Sequence, residues 1–252
     1  MKTFLSWSGG KDSSASIALC YENGIQLDGV IFSEVMFDNT RGISGENPDH
    51  IAFVRKSIPI IEHMGYKVII LHHKFDYLYE FNRRVTSKAR SDRVNKKVGW
   101  IIGGACRMNG YKITPIKAFL KQFGEYKQII GIAADELKRL AKLEPSQRSI
   151  LAEYGIREAD TYAICKKYNL LSPIYENETR GGCWFCPNSS IKDFARLAKA
   201  HPELWAELEK LSHDPDIVSQ GFKYGRTFDS VNREVYVINN QITVFDTLGS
   251  AT

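Results

Sequence analysis

The chain has 252 residues, of which 43% are hydrophobic and 25% are charged, and this composition is typical of a globular protein with a full hydrophobic core. The formal net charge of +5 is compatible with a nucleotide or nucleic-acid partner but is too small to require one. No uncharged apolar run approaches the roughly 18 residues of a membrane span, and the short apolar stretch at the N-terminus leads directly into a glycine motif, so we expect a cytoplasmic protein with no signal peptide and no membrane partner.

The first half of the chain alternates short β-branched apolar runs with segments of helical period. Strands are predicted at 3–7, 28–35, 67–73 and 128–134. Helices are predicted at 12–23, 48–64, 76–89 and 114–123. Near-continuous apolar strands separated by helices indicate an α/β fold, in which a parallel sheet is covered by helices on both faces. We expect a ligand at the carboxyl ends of the strands.

The second half of the chain is predicted to be a smaller, mostly helical part that contains cysteines. Its predicted elements are two short helices within 145–170 on either side of Gly155, helices at 190–199 and 202–212, and a terminal hairpin with strands at 234–238 and 241–245. We therefore predict two domains. Residues 1–143 form a nucleotide-binding α/β domain, and residues 144–252 form a helical region with a metal site and the hairpin.

A glycine-rich motif follows the first predicted strand directly. Its residues are Ser8, Gly9, Gly10, Lys11, Asp12, Ser13 and Ser14. Adjacent glycines allow a tight turn and a close approach of ligand to backbone, and the amides at the start of the next helix form an anion site. The Walker A pattern differs, because its lysine is followed by Ser or Thr. We predict a phosphate-binding loop; a glycine turn with a capping Asp or Ser is the alternative.

The motif resembles the PP-loop, Ser-Gly-Gly-x-Asp-Ser, of the N-type ATP pyrophosphatases, which cleave ATP between its α and β phosphates and adenylate a substrate. The resemblance implies ATP and Mg²⁺ as cofactors. The nucleotide-binding residues it implies are Ser8, Gly9, Gly10, Lys11, Asp12, Ser13, Ser14 and, at the end of the second strand, Ser33. The candidate catalytic residues are Lys11 and Arg139 to offset phosphate charge, Asp12 to place Mg²⁺, and Asp135 to hold Mg²⁺ or orient the loop. A helix cap is the alternative role for Asp135.

A second motif is the Cys-x-x-Cys formed by Cys183 and Cys186, followed by Pro187. Two thiolates at this spacing bind a metal ion or an iron–sulfur cluster. A closed site needs further ligands, and Cys106 and Cys165 are the candidates. A sulfur-only set suits either zinc or an iron–sulfur cluster.

Four segments together resemble the phosphoadenosine-phosphosulfate (PAPS) reductase-like branch of the PP-loop superfamily. They are the loop at 8–14, Cys106 with the following Lys112-x-x-Pro115, residues 131–139 and residues 180–187. This resemblance implies a four-iron cluster in preference to Zn²⁺. The chain departs from the reductases of that branch in two respects, because Cys106 is preceded by alanine and no cysteine follows Cys186.

We therefore predict an enzyme that cleaves ATP to AMP and pyrophosphate in order to adenylate a substrate for sulfur transfer (thiolation). One alternative is a PAPS or adenylyl-sulfate reductase, and another is a nucleic-acid-binding module with structural zinc. Residues 83–97 carry seven basic residues and one acidic residue, and they form either a contact with tRNA or DNA or a solvated face. A sulfur-donor protein and a homodimer are further expected partners.

Overall fold

The computed structural model describes residues 1–86, 93–102, 106–177 and 181–240. Its strands are β1 (Lys2–Trp7), β2 (Gly29–Glu34), β3 (Met36–Asp38), β4 (Ile43–Ser44), β5 (Val68–His72), β6 (Lys97–Gly99), β7 (Tyr126–Ile130), β8 (Gln147–Arg148), β9 (Ile217–Ser219), β10 (Gly221–Lys223) and β11 (Arg226–Thr227). Its helices are α1 (Lys11–Glu22), α2 (Pro48–His63), α3 (Tyr77–Asn82), α4 (Arg107–Lys121), α5 (Leu137–Leu140), α6 (Ile150–Glu153), α7 (Thr161–Lys167), α8 (Ile174–Asn177), α9 (Ile191–Ala200), α10 (Pro202–Ser212) and α11 (Phe228–Asn240). A 3₁₀ turn spans Glu158–Asp160. The chain divides into two compact units, residues 1–76 with 107–183 and residues 77–106 with 184–252.

The first unit is built on a five-stranded parallel sheet with the strand order β5-β2-β1-β7-β8. Side chains alternate between its faces, as the pleat of a strand requires. One face packs against α1, and its buried residues include Leu5, Trp7, Phe32 and Ile17. The other face packs against α4, and its buried residues include Phe4, Ile31 and Leu120. The prediction of an α/β fold with helices on both faces of a parallel sheet is confirmed.

Two helices differ from the sequence prediction in their bounds. The helix expected at 76–89 ends at Asn82 in α3, and residues 87–89 lie outside the described residues. The helix expected at 114–123 begins earlier, at Arg107 in α4, because Met108 and Tyr111 are buried at helical spacing and extend its apolar face. Pro115 therefore lies inside the helix, whereas the sequence placed it in the first turn.

Residues 144–183 belong to the first unit, whereas the sequence assigned them to a second domain beginning at residue 144. Cys165 and Leu170 lie in the same buried cluster as Ile17 of α1, so α7 packs on the sheet domain. Residues 77–106, in turn, belong to the second unit. Each unit therefore combines two segments that are separated in the sequence and pack together in the fold.

The second unit has an aromatic core, and its helices α9 and α10 agree with the segments predicted at 190–199 and 202–212. The buried rings in contact are Phe81, Trp100, Phe194, Trp205, Phe222 and Phe228. The strand predicted at 234–238 is wrong, because this stretch belongs to α11. Phe228, Val231 and Val235 are buried at helical spacing, whereas Val237 is exposed.

The second predicted strand of that hairpin, at 241–245, lies outside the described residues. Within the described part of the chain, no helix has the length and apolar character that a membrane crossing needs.

Candidate functional site

The glycine-rich turn joins β1 to α1 at the carboxyl edge of the sheet. Gly9 has a φ of +73°, and a Cβ there would lie 2.7 Å from the His50 ring and 2.7 Å from Val54. Both the positive φ and the lack of room for a Cβ therefore require glycine at position 9. Gly10 is the N-cap of α1 and has no side chain to bond the first-turn amides. Because those amides lack partners within a helix, the turn presents them as donors.

Gly131, just after β7, brings a neighbouring strand end against this turn. A Cβ at Gly131 would lie 2.5 Å from the Ser13 nitrogen and 2.7 Å from the Asp12 carbonyl carbon. Both are backbone atoms and cannot move aside like a flexible side chain. The start of α1 is thus fixed by a glycine far outside the motif.

Lys11 is a buried cation that is paired with two carboxylates. Its Nζ lies 2.8 Å from an oxygen of Asp12 and 2.8 Å from an oxygen of Glu158. Burial on its own lowers the pKa of Lys11, but the hydrogen bonds and charges of Asp12 and Glu158 outweigh burial and raise the pKa above its ordinary value. Lys11 therefore carries a fixed positive charge beside the amides of the turn.

The serine hydroxyls of the motif hold the loop in shape. The Ser13 hydroxyl accepts a hydrogen bond from the Ser8 amide at 3.1 Å and donates to the Gly10 carbonyl at 3.0 Å. Ser14 is fully buried and accepts from the Trp7 indole N–H at 2.9 Å. Direct phosphate contacts from these hydroxyls remain a prediction, and the structure gives them internal partners.

His50, from α2, ties the turn to a distant part of the chain. Its Nε2 lies 2.9 Å from the Ser8 carbonyl oxygen, and its Nδ1 lies 3.1 Å from the Ser172 hydroxyl. Burial lowers the pKa of His50, although the hydrogen bond to Ser8 opposes this shift. A carbonyl only accepts, so the neutral ring donates from Nε2 and accepts at Nδ1. No local pattern in the sequence indicates a role for His50 in the site.

Two further hydroxyls reach the loop from the second half of the chain. The Tyr175 hydroxyl accepts a hydrogen bond from the Lys11 amide at 2.9 Å. The Thr161 hydroxyl lies 2.7 Å from the Glu158 carbonyl and 3.2 Å from the Asp12 carboxylate. Neither Tyr175 nor Thr161 carries a local sequence signal, because each contacts a loop residue that is more than 140 positions away in the sequence.

Of the two predicted catalytic residues after β7, Asp135 contacts this network, whereas Arg139 pairs with Glu136. Asp135 accepts a hydrogen bond from the Glu158 amide at 3.0 Å and so positions the residue that holds Lys11. Arg139 is half-exposed and donates to both carboxylate oxygens of Glu136. Direct contact of Asp135 with Mg²⁺ and of Arg139 with phosphate stays a prediction.

The end of β2 offers a buried polar group at the same edge of the sheet. The described residues give the buried Ser33 hydroxyl no hydrogen-bond partner. Next to it, Glu34 is buried and contacts Arg55 and His72. Burial raises the pKa of Glu34, but the bonds from His72 and Ser44 and the charge of Arg55 bring it below its ordinary value. An unpartnered hydroxyl at this place fits the predicted role of Ser33 in nucleotide binding.

The cysteines predicted as metal ligands have different surroundings. Cys165 is fully buried, its thiol donates to the Lys11 carbonyl at 3.1 Å, and burial raises its pKa to about 12. Metal ligands are thiolates, so this environment disfavours Cys165 as a ligand. Cys106 is exposed, and Cys183 and Cys186 are half-buried.

Across the described ranges, no group of three or more His, Cys, Asp or Glu side chains is arranged to hold a metal ion. The set of Cys106, Cys165, Cys183 and Cys186 therefore remains a prediction from the sequence. Mg²⁺ in nucleotide sites typically takes one or two carboxylates together with substrate phosphates. A single carboxylate such as Asp12, beside the amides of the turn, fits that requirement.

The basic run at 83–97 lies in the second unit, and its residues 87–92 are outside the described residues. Arg83 pairs with Glu80, Arg84 with Asp216, and Lys97 with Asp214. These three cations have carboxylate partners within their own unit, which favours a structural role for them over contact with a nucleic acid.

No protein-family model matches the chain, and no curated protein matches it. One similar solved structure is the U34-tRNA thiolase NcsA from Methanococcus maripaludis with its four-iron, four-sulfur cluster, at 18% identity over 96% of this chain and 73% of that chain, with a TM-score of 0.43. Another is the NH3-dependent NAD synthetase from Campylobacter jejuni in complex with the nitrate ion, at 12% identity over 96% of this chain and 89% of that chain, with a TM-score of 0.35. Neither likeness is close enough to assign an activity to this chain.

Proposed function

We propose that this protein binds ATP at the β1–α1 turn and cleaves it to AMP and pyrophosphate while it adenylates a substrate. The observation that carries the proposal is the turn itself. Gly9 in a left-handed conformation, the N-terminal amides of α1 and the buried charged Lys11 converge at the carboxyl end of a central parallel strand. This combination is a cradle for a polyphosphate.

The chemistry asked of the chain is mainly positioning and charge neutralisation. A substrate oxygen attacks the α-phosphorus, the bond to the bridging oxygen breaks, and pyrophosphate leaves with that oxygen. The amides of the turn and Lys11 bind the departing pyrophosphate and stabilise its charge. Mg²⁺, when bound, would add further neutralisation of phosphate charge, with Asp12 as its protein ligand.

Sulfur transfer to the adenylated substrate is the finer part of this proposal. Its support is the Cys183-x-x-Cys186-Pro187 motif in the same chain as the phosphate loop. A cluster or metal held by cysteines would supply the sulfur or bind it. Adenylation makes the oxygen of the substrate a good leaving group, so a sulfur nucleophile can form a carbon–sulfur bond while the carbon–oxygen bond breaks and AMP leaves with that oxygen. A sulfite-forming reductase receives less support, because no cysteine follows Cys186.

The test of the phosphate site is Gly10→Asp, measured by calorimetric titration of MgATP and by release of AMP and pyrophosphate with bulk tRNA as the acceptor. A carboxylate at the helix N-cap repels the phosphates, and we expect ATP binding to weaken roughly a hundredfold. Gly110→Asp is the matched control, since Gly110 lies in α4 and a Cβ added there would have no atom within 4 Å. Thermal denaturation verifies that both variants are folded, and wild-type ATP binding by folded Gly10→Asp protein would contradict the assignment.

The sulfur-transfer step is tested separately by anaerobic purification, absorption spectroscopy and metal analysis. Visible absorption together with iron and labile sulfide supports it. A colourless protein with one zinc per chain would make the cysteines structural and would leave only the ATP-dependent step. Sulfite release from adenylyl sulfate in the presence of thioredoxin would instead identify a reductase.

A further inference from the structure

Tyr175 places a neutral oxygen where the turn is built to bind a charged one. Its hydroxyl accepts a hydrogen bond from the amide of Lys11, the first residue of α1. A Cβ at Gly10 would lie 3.3 Å from the same hydroxyl, so this oxygen is at the mouth of the turn. The first amides of a helix are the donors that a phosphate uses.

We propose that the Tyr175 hydroxyl competes with a phosphate oxygen for the Lys11 amide, so that binding of the nucleotide releases α8 from the loop. This inference rests on the proposed function of the turn. A phosphate oxygen is charged, and hydrogen bonds to charged acceptors are roughly twice as strong as those to neutral ones. The phenol is therefore the weaker of the two acceptors and is the one displaced.

The state of the phenol supports this exchange. Burial is the main influence on Tyr175 and raises its pKa, which the bond from the Lys11 amide opposes. The hydroxyl thus stays protonated and uncharged at neutral pH. Its bond to the loop is made to Lys11, so the loop hydrogen bonds of Ser8, Ser13 and Ser14 persist when Tyr175 leaves.

Residues 172–177 have a second attachment to the same turn. Ser172 bonds to His50, whose ring also bonds to the Ser8 carbonyl. Tyr175 is linked to Ser172 by a backbone hydrogen bond of 3.2 Å. Release of Tyr175 therefore loosens α8 while Ser172 stays anchored, and the segment responds to occupancy of the phosphate site.

The experiment compares the full-length wild type with Tyr175→Phe, using inorganic pyrophosphate with Mg²⁺ as the probe in calorimetric titrations. Removal of the competing hydroxyl is expected to tighten pyrophosphate binding roughly threefold to tenfold, the range of a single net hydrogen bond. Tyr154→Phe is the control, because Tyr154 is an exposed tyrosine of the same unit, and we expect wild-type affinity. Thermal denaturation verifies that each variant is folded.

Amide hydrogen exchange of residues 172–177 gives an independent readout. Pyrophosphate should speed exchange there in the wild type, and Tyr175→Phe should exchange fast without it. Weaker or unchanged binding by Tyr175→Phe, or protection of the segment by pyrophosphate, would overturn the competition while the phosphate site itself stands. Absence of pyrophosphate and ATP binding in both proteins would overturn the proposed function and this inference together.

Discussion

The phosphate loop and the segments that contact it carry their information in different ways. Residues 8–14 are contiguous, and their conformation follows from adjacent glycines after a buried strand. The contacting side chains come from distant segments: Glu158 and Thr161 from one, and Tyr175 and, through His50, Ser172 from another. The geometry of the first region follows from the local sequence, whereas the contacts of the second region depend on the fold.

The largest effect is expected from Gly131→Ala, a change outside the motif. The added methyl group would lie 2.5 Å from the Ser13 nitrogen, so β7 and α1 must separate. We expect a loss of at least about 3 kcal/mol in the free energy of unfolding, the upper range for overpacking. Urea denaturation measures it.

Gly110→Ala provides the comparison for that substitution. Gly110 lies within α4 and has open space around it, so alanine is expected to be neutral or to stabilise by up to about 1 kcal/mol. A similar stability for the two variants would mean that the close approach of Gly131 to α1 does not constrain the loop.

Lys11→Met tests the charge that the motif itself supplies. If the turn stabilises the charge of the departing pyrophosphate, removal of this buried cation should slow the formation of pyrophosphate from ATP about a hundredfold. Loss of one preorganised charge-stabilising group has an effect of this size in other enzymes. Steady-state kinetics with a pyrophosphate-coupled assay measures it.

Glu158→Gln is the counterpart in the contacting region. The Glu158 side chain is 55% exposed, and Lys11 retains Asp12 as its partner. The rate should therefore stay within about fivefold of the wild type. Equal losses for the Lys11 and Glu158 variants would show that the contacting carboxylate is as essential as the motif.

Much of the fold was predictable because its signals are local. The four main strands lie within a few residues of their predicted bounds, since runs such as Val30-Ile31-Phe32 are buried on both faces of a parallel sheet. The helix α11 was not predicted, because residues 235–238 are a run of β-branched and aromatic residues followed by Asn239-Asn240, a pattern typical of a hairpin strand. Phe228, Val231 and Val235 are buried at the spacing of a helix, and which residues are buried depends on packing within the second unit.

The candidate site was predictable only in its contiguous part. The motif at 8–14 identifies the amides and Lys11, but no local pattern in the sequence indicates that Tyr175 or His50 contacts the loop. The sequence groups Cys165 with the other cysteines as a candidate metal ligand, and it gives no sign that the Cys165 thiol lies in the buried core and bonds to the carbonyl of Lys11.

Ser14→Ala separates a structural serine from a ligand-binding one. Its hydroxyl accepts the buried Trp7 indole N–H, and without it that donor is left unpaired, at a cost of about 1–3 kcal/mol. Ser16→Ala is the control, because Ser16 is equally buried but donates only to the Asp12 carbonyl within its own helix. Chemical denaturation should show a clear loss for Ser14→Ala alone. Unchanged stability with weakened pyrophosphate binding would instead make Ser14 a direct ligand.

The smallest effect is a pH dependence that originates at His50. Burial lowers its pKa in the folded protein below the ordinary 6.5, so between these two values the unfolded chain binds more protons. The stabilisation is fully present above pH 6.5 and is lost as the pH falls through the folded pKa, by about 1.4 kcal/mol for each unit of pKa shift. Urea denaturation from pH 7.5 to 5 should show this slope in the wild type and a shallower one in His50→Gln. His63 is an exposed histidine of the same helix, and His63→Gln should retain the wild-type slope. A shallower slope in this control as well would mean that the pH dependence does not come from the hydrogen bonds that link His50 to Ser8 and Ser172.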